Sequence, residues 1–301
     1  MAGLRQRYED REYWEDAEDM LRDQRSVAET APVVDPDPIE DSIGRLTHAI
    51  EVEIIPRLIL ARRALPQPQG LADAALGRNA PSAGDITEFT RLVLAHDVGV
   101  ATAYVEALRG RGVALEAVFL DLLAPAARQL GDLWNDDLCD FTEVTVGVWR
   151  LHQVVREFST GARPDARAGE QGRRALLVAL PGEQHTFGLV LLAEFFRRAS
   201  WDVWSGPVAS SGEMLGLVGA EWFGVVGLSI SCSGQLQGLA AEIHAIRRAS
   251  RNRAVGVMVG GSVFIDHPEL VALVGADATA VDGRQATAQA DSLLALMASH
   301  G

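Results

Sequence analysis

From residue 173 onward the chain alternates, five times over, a short and continuously apolar run with a stretch of helical spacing. The runs are "RALLVALP", "WDVWSGP", "FGVVGLSIS", "AVGVMVGG" and "ATAVDG", and the helical patterns begin near Thr186, Ser211, Gln235, Pro268 and Arg284. Strands with no polar face must be buried on both sides, and a parallel sheet with helices on each face provides that burial. Parallel neighbours also require long crossovers, which the intervening helices supply. The pattern predicts an α/β domain over 173–301: a flavodoxin-like, five-stranded parallel sheet. Ligands of such sheets sit beyond the carboxyl ends of the strands, where the strand order reverses.

Upstream, residues 42–159 read as helices. "DSIGRLTHAIEVEIIPRLILARRA" has Asp41 or Ser42 as a cap and Ile43, Leu46, Ile50, Ile54 and Leu58 at helical spacing, with a kink expected at Pro56. "ITEFTRLVLAHDVGVATAYVEALRGRG" predicts a helix ending at Gly110 or Gly112, and "VALEAVFLDLLAPAARQLGDLW" one or two helices broken near Pro125. "DFTEVTVGVWRLHQVVREFS" places Val144, Val148, Leu151 and Val155 on one face of a last helix. Four or five helices with no strand signal between them imply a helical bundle. Residues 160–172, "TGARPDARAGEQG", lack any large apolar side chain and read as a linker. Residues 1–41 hold 13 Asp/Glu against 5 Arg, which reads as an acidic, flexible arm.

The formal charge of −14 argues against binding the nucleic-acid backbone, where affinity comes from neutralising phosphates. No helix-turn-helix pattern stands among the helices, so direct sequence-specific nucleic-acid binding is not expected. No apolar stretch reaches the ~18 residues of a membrane span, and the acidic N-terminus has no apolar core of a secretory signal. Cys139 and Cys232 lie far apart in sequence, which suits a reducing cytoplasm. Cys232 reads as a small buried residue, and His152, with no ligand spacing to the other histidines, as structural.

Three polar features interrupt the apolar pattern, and all fall at one sheet edge. The turn "LPGEQHTFG" after the first strand carries Glu183, His185 and Gly188. Ser229 and Ser231 end the third strand, and Gly260 and Gly261 end the fourth. A turn needs only Gly, Asn or Asp. The histidine is surplus to the turn, and with the serine and glycine pairs it stands at the ligand edge of the sheet.

E-x-H-x-x-G, then S-x-S after forty residues, then G-G after a further twenty-eight, resembles the cobalamin-binding motif D-x-H-x-x-G … S-x-L … G-G. The resemblance implies a cobalamin held base-off, with His185 as the lower axial ligand of cobalt. It gives Glu183 the role of bonding the far imidazole nitrogen. Gly188 would let the nucleotide tail pass, Ser229 and Ser231 would bond the buried benzimidazole or nearby tail groups, and Gly260 and Gly261 would make room for the tail. Two positions depart from the motif. Glu183 replaces Asp, from which a looser or water-bridged contact to His185 is expected, and Ser231 replaces Leu, which makes the pocket more polar.

"LAPAARQLGDLWNDDLCDFTEVTVG" is similar to the helical cap over the upper corrin face in cobalamin photoreceptors and methionine synthase, which would put Trp134 over the upper axial position. Asn135 stands where the photoreceptor repressors have a histidine, and Val144 and Thr145 stand roughly where they have an E-H pair. The resemblance therefore supplies no protein ligand above the cobalt. Together with "IEVEIIPRLILARR" and the C-terminal domain, residues 42–301 resemble the PpaA/AerR family of cobalamin-binding antirepressors of photosynthesis genes. That likeness implies a non-enzymatic regulator whose partner is a CrtJ/PpsR-like repressor, with light entering through a photolabile cobalt–alkyl bond. A corrinoid carrier of a methyltransferase system and a haem-binding redox sensor on the same fold stand as alternatives.

Overall fold

Two runs of residues, 80–159 and 172–298, are described by the computed structural model, and they lie in one compact unit. The acidic arm, the helix expected from Ser42 with its kink at Pro56, and the linker expected at 160–172 lie outside the described residues, except for Gly172.

The helical part opens with α1 (Ala83–Ala95) and α2 (Val98–Gly110). The spacing predicts a single helix here, but His96 is extended and the Asp97 side chain accepts from the Val100 N–H, starting a second helix. An aspartate free to cap competes with helix continuation, which explains the break. Next come α3 (Leu115–Ala117), a π-helical segment (Val118–Leu123) and α4 (Ala124–Asn135) without interruption. Pro125 thus does not break the helix as predicted. A proline ring crowds the carbonyl four residues back, and the wider π turn before it accommodates that crowding. The last helix of this part, α5 (Phe141–Ser159), matches its predicted span.

The α/β part runs β1 (Arg174–Ala179), α6 (Phe187–Arg198), β2 (Asp202–Ser205), α7 (Ser211–Ala220), β3 (Val225–Ser229), α8 (Leu236–Ala249), β4 (Gly256–Gly260), α9 (Ser262–Asp266), α10 (Leu270–Leu273), β5 (Ala278–Thr279) and α11 (Gly283–Ala298). All pairings are parallel and the order is β2-β1-β3-β4-β5, the flavodoxin-like arrangement predicted. The order reverses between β1 and β3. Leu176, Val178, Val226, Leu228, Val257 and Val259 pack beneath α7 and α8, while Ala175, Leu177, Val225 and Met258 face α6 and α11. Both faces are covered, as the strands' composition requires.

Helices and sheet share a core. Phe187, Leu191 and Phe195 of α6 pack among Phe89, Phe119, Leu122 and Leu151 of the helical part. Phe195 meets Phe119 edge-on, with ring centroids 6.2 Å apart. Beside them Arg198 pairs with the buried Glu194 at 2.8 Å, lies over Phe119 and bonds the Phe158 carbonyl. The helical bundle is therefore seated on α6, the helix that opens with the histidine turn.

Candidate functional site

The turn between β1 and α6 projects from the carboxyl end of the sheet next to the order reversal. Gly182 takes φ +91°, a conformation open to glycine, and the turn closes through Glu183 N–H to the Leu180 carbonyl. Glu183 then folds inward, its side chain 2% exposed, while the His185 ring stands 79% exposed.

Glu183 holds the site together. Its Oε1 accepts from the backbone N–H of His185 at 2.7 Å and lies 2.9 Å from His185 Nδ1. Its Oε2 accepts from the Ser231 backbone N–H at 2.6 Å and from the Ser231 hydroxyl at 2.7 Å. Burial pushes this carboxyl's pKa up, but the hydrogen bonds from His185 and Ser231 outweigh it and hold the group ionised below the usual range. The looser contact expected from the longer side chain is not found: Glu183 touches His185 directly. The extra methylene lets one carboxylate span from the β1 loop to the β3 loop.

The same geometry fixes the imidazole. Ser231 Oγ lies 2.9 Å from Nδ1, and its one proton goes to Glu183 Oε2. Two acceptors, Glu183 Oε1 and Ser231 Oγ, then face Nδ1, which must carry the proton. In the neutral ring this tautomer leaves the lone pair on Nε2, which is the state a metal ligand requires, and the side chain is exposed.

Of the residues singled out from sequence, the structure brings Glu183, His185 and Ser231 into contact. Ser229 ends β3 directly opposite Gly260 at the end of β4, beside them. Gly188 lies in the first turn of α6. The two glycines of the pair differ. A Cβ on Gly260 would meet no atom within 4 Å, whereas one on Gly261, at φ +123°, would strike the Ile230 carbonyl oxygen at 1.8 Å. Cys232 is exposed, not buried as its sequence setting implies, because it leaves β3 into the open loop. Trp134 sits apart from this cluster in the helical part, 44% exposed and edge-on to Phe141 at 5.9 Å. Leu138, Cys139, Asp140 and Glu143 line the same hollow of about 460 Å³. Burial, with Glu143 and Asp140 nearby, raises the Cys139 thiol pKa, so it is no reactive thiolate.

Several residues carry no motif signal. Gln235 Oε1, just past β3, and Thr279 Oγ1, at the end of β5 one strand from Gly260, are buried without a partner among the described residues. On α5, Phe141, Thr145, Trp149 and His152 share one face at spacings of 4, 4 and 3, and Phe141 and Trp149 are largely exposed. His152 packs edge-on to Phe187 at 5.2 Å, two residues from His185, and burial, with Arg156 beside it, lowers its pKa. The aromatic face is legible in sequence as a helical stripe, but its exposure is not.

Among the described residues no three or more His, Cys, Asp or Glu side chains gather as a metal site. His185 therefore offers a single imidazole and not part of such a cluster, and a Cβ on Gly260 or Gly188 would meet no atom within 4 Å.

Comparison with known proteins agrees with that donor set. Residues 173–291 match the B12-binding domain family. This part of the chain is similar to B12-binding domains. The cofactor of that family is cobalamin. The chain is also 25% identical, over 169 residues, to an uncharacterized 20.5 kDa protein in the bchF-crtJ intergenic region of Rhodobacter capsulatus; the match covers 56% of this chain and 88% of that one. Both findings accord with the PpaA/AerR-like resemblance. Among solved structures, the monomethylamine corrinoid protein of Methanosarcina barkeri superposes with a TM-score of 0.58 at 14% identity, covering 70% of this chain and 98% of that one. That likeness establishes the fold.

Proposed function

We propose that the protein is a cobalamin-responsive regulator. It would hold the corrinoid base-off on His185 and act on a partner transcription repressor of the CrtJ/PpsR kind. The observation that carries the binding reading is the His185 ring, exposed at the ligand edge with Nδ1 held by Glu183 and Ser231. A bound cobalamin supplies a cobalt centre whose upper ligand can be exchanged or photolysed.

The chain's own residues do the rest. His185 would offer Nε2 to the cobalt, and Glu183 would keep the ring in the ligating tautomer. Gly188 and Gly260 leave space for the nucleotide tail, and Ser229, Gln235 and Thr279 present polar atoms to it. Gly261 shapes the turn that keeps that edge open. Trp134, Phe141 and Trp149 would offer the corrinoid an apolar cover from the helical part. The regulatory reading draws support from the bchF-crtJ setting of the R. capsulatus relative, since crtJ names the repressor expected as partner. Because α6 is shared by site and bundle, a change at His185 has a packed route to the helical surface.

Reconstitution tests the reading. Protein mixed with cobalamin in dim light should show the absorption of a base-off corrinoid with a nitrogen ligand below cobalt. His185→Ala should weaken binding by about 10-fold or more, or change the coordination spectrum, comparable to losses on disturbing a metal's ligand environment. An unchanged affinity and spectrum in that variant would overturn the assignment. A haem-type Soret band in the purified protein, with no corrinoid uptake, would favour the haem sensor. Methyl transfer with a partner enzyme would favour the carrier.

A further inference from the structure

We propose that Ser231 is a positioning residue for His185, acting through Glu183, so that the two departures from the cobalamin motif form one matched exchange. The inference rests on the reading of His185 as the axial ligand. Glu183 stands where the motif has Asp, Ser231 stands where it has Leu, and the two side chains touch at 2.7 Å. Either change alone leaves a fault. A glutamate opposite leucine would keep the backbone N–H of residue 231 but lose the hydroxyl that orients its second oxygen. An aspartate opposite serine, shorter by one C–C bond of about 1.5 Å, would keep the His185 backbone N–H but stand back from both residue 231 and His185 Nδ1.

The second fault has a chemical consequence. The Ser231 hydroxyl lies 2.9 Å from His185 Nδ1, and only its bond to Glu183 Oε2 commits its proton elsewhere. With the carboxylate withdrawn, that hydroxyl turns to donate to Nδ1. The imidazole proton then moves to Nε2, the atom that should face the metal, and ligation is blocked. Replacing the serine by leucine removes the competing donor and restores the motif pairing. Ser231→Leu is therefore harmful in the native background and beneficial in the Glu183→Asp background.

The test is a double-mutant cycle of Glu183→Asp, Ser231→Leu and the double variant, read in two ways. Ring ¹⁵N shifts of His185 in the cofactor-free protein report the tautomer: Nδ1–H in the native protein, Nε2–H in Glu183→Asp, and Nδ1–H again in the double variant. Titration with cobalamin should show Glu183→Asp binding about 10- to 100-fold more weakly, with a recovery of about 10-fold on adding Ser231→Leu. Ser231→Ala, a smaller change at a half-buried position, must give the same rescue in the Glu183→Asp background; this keeps the test decisive should leucine not be tolerated. Losses that simply multiply, or an unchanged tautomer throughout, would overturn the pairing. The His185 reading fails separately, by unaltered cobalamin binding in His185→Ala, while the tautomer measurement still decides the pairing.

Discussion

Gly260 and Gly261 look alike in sequence and do different work. Gly261 is required by the fold, since any Cβ there would overlap the Ile230 carbonyl and the backbone lies at φ +123°. Gly260 has open space around it and is required only if something occupies that space. Gly261→Ala should therefore destabilise the protein by several kcal/mol, on the order of a strained backbone plus a steric clash, measured as a fall in thermal midpoint. Gly260→Val should melt within a few degrees of the native protein yet bind cobalamin about 10-fold more weakly by absorption titration, a loss of roughly 1.4 kcal/mol. Native cobalamin affinity in Gly260→Val would remove that glycine from the site. The pair is visible in the sequence, but the division of labour is not, because it depends on which strand-end carbonyl comes near. The Glu183–Ser231 contact is hidden for the same reason: it joins residues 48 apart through the register of β1 against β3.

At the scale of elements, the alternation of apolar runs and helical patterns yields the sheet almost completely, since burial on both faces leaves few other arrangements. The bundle is harder to read. Competition at His96–Asp97 and the π turn before Pro125 are local contests that spacing alone does not decide. The start of α1 carries a testable electrostatic device. Ser82 and Asp85 form a reciprocal cap, and Asp85 also accepts from the Tyr104 hydroxyl and Arg111. The bonds from Ser82, Tyr104 and Arg111 hold the Asp85 carboxyl well below the usual range, against a smaller effect of burial. Burial, then the bond to Asp85, pushes the Tyr104 phenol up to about 12. For Asp85 the folded pKa is depressed, so its stabilisation is present above the unfolded value of about 3.9 and is lost as pH falls below it. For Tyr104 the folded pKa is raised, so its contribution is present below pH about 10 and is lost as pH rises toward 12. Urea melts across pH should show both losses, with Asp85→Asn flattening the acid limb and Tyr104→Phe the alkaline one. Asp85→Ala at neutral pH should cost about 1–2 kcal/mol through the lost cap.

For the whole molecule, the question is how a cofactor held at the sheet edge, as proposed, would act on the helical surface. The shared core answers part of it: Phe187, Leu191 and Phe195 belong at once to the helix below His185 and to the interior of the bundle. The exposed aromatic face of α5 answers the rest. Phe141 and Trp149 hold apolar area in solvent, on the stripe that ends at His152 against Phe187, and Trp134 leans on Phe141 from α4. Folding alone gives no reason for that exposure, and the proposed function assigns it to covering the bound corrinoid. Trp149→Ala should then leave stability within about 0.5 kcal/mol, as for other exposed positions, and yet lower cobalamin affinity about 10-fold. Cobalamin should also quench tryptophan emission in the native protein, with much of that quenching lost in Trp149→Ala. In hydrogen exchange, protection on loading should appear in the 183–188 turn and along 141–152, and not in α7 on the other side of the sheet. Protection confined to the turn, together with native affinity in Trp149→Ala, would mean that the helical part leaves the upper face open and that any signal to a partner passes through α6 alone.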